Sequence, residues 1–243
     1  TLKQFLKSSK NLKKKEKSNM SKNSRTQSNN NIFTIAGVKN DGKSTVGAYL
    51  MEQLNKPTII IDRTLQFSEN TAYRVIVRGL SELSLYCKNS VYKNSFYKGK
   101  LQLIFRTTTD KRTAEIEAAL ELVNRNLSNI TIFLEEMELY ADSYLNKNSP
   151  IFETLYLSRN KKFDIICVIK EINNLNKIVR SATDYFFLGR IRDLNAIKYF
   201  NQRSENEYKN YIKKIKSRTF LITDLTDTWR VFTLNQNILK IIK

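Results

Sequence analysis

The chain contains no histidine, two cysteines, two prolines and six glycines in 243 residues. Without an imidazole there is no side chain that titrates by itself near neutral pH. That excludes Ser-His-Asp and Cys-His nucleophilic arrangements and most zinc chemistry. Cys87 and Cys167 lie far apart, show no metal-ligand spacing, and Cys167 sits inside an apolar run. Neither a disulfide framework nor a cysteine metal site is expected, which fits a reducing compartment. No apolar run approaches the ~20 residues a membrane-spanning helix needs, and the basic N-terminus is not followed by a signal-peptide core. A soluble, cytoplasmic protein is therefore expected. The scarcity of proline and the lack of a Gly/Ser-rich stretch leave no marker of a domain boundary after residue 31.

Acidic residues are also in short supply: 23 Asp/Glu face 42 Lys/Arg, for a formal charge of +19. Such a surface gains affinity for polyanions by neutralising phosphates and releasing counterions, so nucleic acid is the expected partner. Residues 1–30 carry nine Lys/Arg against the single Glu16 and few large apolar groups. A basic, disordered arm over residues 1–31 is expected, followed by one domain over 32–243 that is basic in its own right. Nothing in the charge pattern orders base-reading side chains, so DNA binding should be independent of sequence.

What is present is concentrated in one octapeptide. Gly37-Val38-Lys39-Asn40-Asp41-Gly42-Lys43-Ser44 follows the apolar run 32–36 and matches Gly-x-x-x-x-Gly-Lys-Ser/Thr. The glycines permit a tight loop whose N–H groups close around phosphates, Lys43 can reach the β/γ oxygens, and Ser44 can hold Mg²⁺. A chance match in a chain of this length is an event on the order of one per cent. Beyond the loop, Thr45 opens a stretch that places Val46, Tyr49, Leu50 and Leu54 on one helical face. ATP with Mg²⁺ is the expected ligand of Gly37 to Thr45.

Further strands are expected at 57–62, 100–107, 130–134, 163–170 and 184–190, separated by helical patterns near 116–127, 150–160 and 194–200. Residues 63–96 are mixed and give no clear reading. The basic segment 203–218 sets Tyr208, Ile212 and Ile215 on one side of a helix, and 219–223 with 229–234 reads as a C-terminal β-hairpin. Alternating strands and helices give an α/β fold with a mostly parallel sheet flanked by helices.

The run Ile130-Thr131-Ile132-Phe133-Leu134 ends in Glu135-Glu136. A buried strand ending in two acids is where a P-loop enzyme places its metal-ordering and water-polarising carboxylates. Glu135 is expected at the metal and Glu136 at the attacking water, although the longer side chain of Glu135 carries its carboxylate one methylene beyond an aspartate's.

The downstream half, from Leu157-Ser158-Arg159 into the strand Ile165-Ile166-Cys167-Val168-Ile169, then Arg180-Ser181-Ala182-Thr183-Asp184-Tyr185, resembles the HerA–FtsK superfamily of DNA-pumping ATPases. The likeness runs over about residues 32–235, and the compact viral and mobile-element genome-packaging members are nearest in size. The resemblance implies an ASCE/RecA-like P-loop NTPase sheet and a ring, usually a hexamer, with ATP at subunit interfaces. It implies DNA driven through a basic channel, and for a viral member a host-cytoplasmic or virion-associated setting with capsid or portal-type partners. It also implies a trans-acting arginine, for which Arg159 and Arg180 rank ahead of Arg190. The chain departs from the family where a polar sensor, often Gln, is normal: Lys170-Glu171 stands there. Two other readings stay open, a non-translocating P-loop enzyme such as a small-molecule kinase, and a nucleic-acid-binding assembly protein that uses ATP as a switch. A GTPase is disfavoured by the absence of Asn-Lys-x-Asp.

Overall fold

In the computed structural model the strands are β1 (Ile32–Ala36), β2 (Thr58–Ile61), β3 (Arg74–Arg78), β4 (Gln102–Arg106), β5 (Thr131–Leu134), β6 (Asp164–Ile169), β7 (Tyr185–Leu188), β8 (Thr219–Thr223) and β9 (Trp229–Thr233). The helices are α1 (Lys43–Leu54), α2 (Gly79–Lys88), α3 (Ser90–Gly99), α4 (Arg112–Asn126), α5 (Pro150–Lys161), α6 (Lys177–Ala182), α7 (Leu194–Arg203) and α8 (Tyr208–Ile212). The structure describes residues 30–69, 72–108, 112–139, 148–172, 176–203, 208–212, 215–224 and 229–234.

All nine strands belong to one sheet in the order β3-β4-β2-β5-β6-β1-β7-β8-β9. The first seven are parallel, and β8 and β9 return antiparallel as the expected hairpin. β1, β2, β5, β6 and β7 are buried at every position, which explains why they lack polar alternation: helices or the hairpin cover both faces. On one face Ile59, Ile61, Ile132, Leu134, Ile165 and Cys167 pack with the helical residues Ile116, Leu120, Ile151 and Phe200. On the other, Phe33, Ile35, Ile60, Phe133 and Val168 pack against Val46, Leu50 and Met51 of α1, with Phe67 and the hairpin's Phe220 and Ile222.

Among the described residues, 63–99 hold an edge strand and two helices. Asn30 and Asn31, assigned by sequence to the arm, are tied to the fold: the Asn30 amide donates to Ser158 O (2.6 Å) and Asn31 N–H to Asp164 Oδ1 (2.9 Å). The rest of the arm, residues 1–29, lies outside the described residues, as do 204–207 and 213–214 of the basic segment. Within that segment Tyr208 is buried against Phe200, with ring centroids 5.2 Å apart. No helix among the described residues is long and apolar enough to cross a membrane.

Candidate active site

Parallel strands bring their carboxyl ends to one edge, and loops leaving that edge build the site. The loop 37–42 leaves β1 and enters α1 through Gly42, whose φ of +88° is left-handed. That backbone conformation favours glycine, and a Cβ there would also come within 2.6 Å of Leu234 Cδ1 and displace its tip. No side chain caps α1, which leaves its first N–H groups for an anion. The loop is fastened to the end of β7: Val38 N–H donates to Arg190 O (3.0 Å) and Gly189 N–H to Ala36 O (2.7 Å). Buried Asp41 accepts from Arg190 Nε at 2.7 Å and from Arg190 N–H at 3.0 Å. Lys43 Nζ folds back to Val38 O at 3.1 Å. Burial lowers its pKa, opposed by the charges of Glu135, Glu138 and Asp41.

β6 lies between β1 and β5, so the acid-bearing strand ends one strand away from the loop. Across that gap Ser44 Oγ lies 2.9 Å from Glu135 Oε1. The extra methylene of Glu135 does not carry it away from the loop: the carboxylate is buried at 2 % exposure. Desolvation is the main reason its pKa is pushed up to about 7; the neighbouring Glu136 charge adds to this, and the Ser44 hydrogen bond and Lys43 oppose it. Glu136 has a left-handed φ of +46° and an ion pair with Lys170, Oε1 to Nζ 2.6 Å. Lys170 directly follows β6, and its N–H donates to Glu138 Oε1 at 2.9 Å. The Glu136 hydrogen bond is the main cause raising the Lys170 pKa. Lys39, Asn40, Gly42, Lys43, Ser44 and Thr45 share a cavity of about 580 Å³ with Glu135, Glu136 and Lys170.

The structure also places in this cavity residues that sequence reasoning passed over. Gln66 Oε1 is 3.0 Å from Ser44 Oγ, and Phe67 and buried Arg74 line the wall. All three come from the unreadable 63–96 segment. The available signal was Asp62, a carboxylate at the end of a buried strand. It accepts from Gln66 N–H (2.9 Å) and Phe67 N–H (3.3 Å) and pairs with Arg106 (3.2 Å). Arg159 and Arg180 do not line this cavity. Arg159 borders a second one of about 430 Å³ beside Asn30 and Ile32, at the amino end of β1. Arg180 lies over the Tyr199 ring, 5.3 Å from its centroid.

No group of three or more His, Cys, Asp or Glu side chains that could hold a metal ion occurs among the described residues. The hydroxyl of Ser44 and the carboxylate of Glu135 are hard oxygen donors of the kind Mg²⁺ takes alongside nucleotide phosphates, so the residues fit that ion.

No family model and no curated protein matches the sequence. Solved structures do match in fold. The genome packaging NTPase B204 from Sulfolobus turreted icosahedral virus 2, solved with AMPPCP, superposes with a TM-score of 0.65 at 17 % identity, over 85 % of this chain and 99 % of that one. VirB4 of Thermoanaerobacter pseudethanolicus gives 0.60 at 11 % identity, over 90 % and 93 %. The N-terminal domain of zonular occludens toxin from Neisseria meningitidis gives 0.51 at 12 %, over 88 % and 99 %. At these identities the likeness is one of fold, and that fold is the P-loop NTPase fold.

Proposed function

We propose that the chain is an ATP-driven DNA translocase of the genome-packaging kind within the HerA–FtsK superfamily. It hydrolyses ATP at the subunit interfaces of a homo-hexameric ring in the cytoplasm, with capsid or portal-type proteins as docking partners. One observation carries the reading: Ser44 and Glu135 meet at 2.9 Å across an intervening strand, with Glu136 and Lys170 in the same cavity. Further support comes from a solved fold neighbour described as the DNA-packaging ATPase of Sulfolobus turreted icosahedral virus, and from the +19 charge.

The loop N–H groups and Lys43 would bind the triphosphate, and Ser44 and Glu135 would hold the Mg²⁺ that accompanies it. When bound, that ion draws negative charge from the phosphoryl oxygens. Glu136 is the general base that takes a proton from the attacking water. Its carboxylate first has to leave Lys170. Lys170 is about half exposed, so incoming phosphate charge can draw the lysine away. Arg159 or Arg180 of a neighbouring subunit supplies the trans arginine.

The test is ATP turnover by the purified protein with and without duplex DNA. Turnover should rise with DNA, and Lys43→Ala should lower it by about a hundredfold or more. Hydrolysis indifferent to DNA removes the motor and leaves a non-translocating P-loop enzyme. A stable monomer by sedimentation, with ATP and DNA present, removes the ring.

A further inference from the structure

We infer that Gln66 is the third protein oxygen of the cation site, beside Ser44 and Glu135. The inference rests on the nucleotide-site reading above and extends it to a residue outside both sequence motifs.

Ser44 Oγ has two oxygens within hydrogen-bond range, Gln66 Oε1 at 3.0 Å and Glu135 Oε1 at 2.9 Å. A hydroxyl carries one proton, so it can donate to only one of them at a time. Two acceptor oxygens that compete for one hydroxyl proton form a cluster suited to a small divalent cation, which takes hydroxyl, carboxylate and carboxamide oxygens alike. A half-turn about the last side-chain bond of Gln66 exchanges its oxygen for its NH₂. The same side chain can therefore donate to Ser44 when the cation is absent and face the cation when it is bound.

Gln66 is exposed at the cavity mouth, yet its backbone is fixed. Asp62 accepts from the N–H groups of both Gln66 and Phe67, and Arg106 clamps Asp62 and the Phe67 carbonyl. The Phe67 ring is buried edge-on against Phe133, centroids 5.2 Å apart, and Phe133 belongs to the strand that ends at Glu135. The backbone that carries Gln66 and the strand that leads into Glu135 are thus joined in one packed unit. Asp62 and Arg106 are positioning residues in this arrangement.

The experiment titrates Mn²⁺ into the full chain with saturating ADP, read by the loss of free-Mn²⁺ electron paramagnetic resonance signal. Gln66→Ala should weaken Mn²⁺ binding by about tenfold, the range found for residues around a metal. Gln66→Glu, which keeps an oxygen at the same reach, should restore or exceed wild-type affinity. ADP affinity measured in EDTA and the thermal midpoint should be the same in all three proteins. Mn²⁺ affinity of Gln66→Ala within twofold of wild type overturns the inference while leaving the nucleotide site intact. So does a variant that loses only its preference for ATP over ADP, since that would assign Gln66 to the γ-phosphate. Wild-type protein that binds neither ADP nor Mn²⁺ overturns the nucleotide-site reading itself, and the Gln66 assignment with it.

Discussion

Glu135 shows what a buried carboxyl costs a fold. Its carboxyl is 2 % exposed, and burial pushes its pKa from the ordinary 4.5 to about 7. In the nucleotide-free protein the folded state then holds a proton that the unfolded state has already released between pH 4.5 and 7. Stability contributed by this group is present below that window and falls as pH rises through it, with a ceiling of about 3 kcal/mol for a shift of this size. Glu135→Gln keeps the shape and removes the titration. Urea unfolding should therefore find the two proteins alike near pH 4.5 and the variant more stable by about 1–3 kcal/mol at pH 8. A wild-type-minus-variant difference that does not change with pH would refute this. At this scale the sequence is legible where a motif is written in consecutive residues: Gly37 to Ser44 and Glu135-Glu136 stand out by spacing, and the fold brings Ser44 and Glu135 together. Gln66, which reaches Ser44 from 22 positions away, and Arg190, which reaches Asp41 from 149 positions away, do not stand out, because only the folded sheet makes them neighbours.

Helix α1 is the element that carries Lys43 and Ser44, and its distance from the sheet is set by Gly47. A Cβ on Gly47 would fall 2.3 Å from Phe133 Cε2 and 2.8 Å from Cζ, closer than any real contact. Phe133 is fully buried and already engaged by Phe67, so its ring has little room to yield. Overpacking of this kind costs about 1–3 kcal/mol, against a helix-propensity gain of about 1 kcal/mol for alanine over glycine. Gly47→Ala should thus lose up to about 2 kcal/mol in denaturant unfolding, and should bind Mn²⁺ with ADP more weakly because Ser44 moves off Glu135. Gained stability with unaltered metal affinity would mean that α1 does not rest on Phe133. The elements around it differ in how clearly they were announced. The five strands buried at every position read as runs dominated by large apolar residues, without polar alternation. In 63–96 the signal is thin for physical reasons: β3 has three apolar residues between two arginines, α2 buries only Gly79, Leu83 and Cys87, and α3 only Phe96. Asn89 was the overlooked cue, since its side chain accepts from the N–H groups of Val91 and Tyr92 and starts α3.

Across the whole molecule the sheet order and the charge act together. Alternating strands and helices foretold a parallel sheet, but not that β6 would part β1 from β5, because order depends on pairings between residues more than a hundred positions apart, such as Phe33 with Ile166. The hairpin closes the far side: Phe232 stacks on Tyr49 at 5.7 Å, and Leu234 covers Gly42, so the phosphate loop is braced by the last described strand. Lys43 and Ser44 are half-buried within that brace, whereas Lys88, Lys98, Lys198, Lys216 and Arg218 are exposed and lie outside the nucleotide cavity. Phosphate of a nucleotide and phosphate of DNA would therefore meet different lysines, and their binding should separate experimentally. Duplex binding through surface cations releases counterions, so log affinity should fall linearly with log salt. Neutralising about four phosphates gives a loss of about a hundredfold between 50 and 200 mM salt. Exchanging one random duplex for another should change affinity by less than about threefold, because backbone contacts carry no base information. Lys43→Ala should leave both the affinity and the salt slope intact while removing ATP turnover. Measured by fluorescence anisotropy, a shallow slope with strong sequence preference would point to base reading, and a slope that changes with Lys43→Ala would place DNA at the nucleotide loop itself.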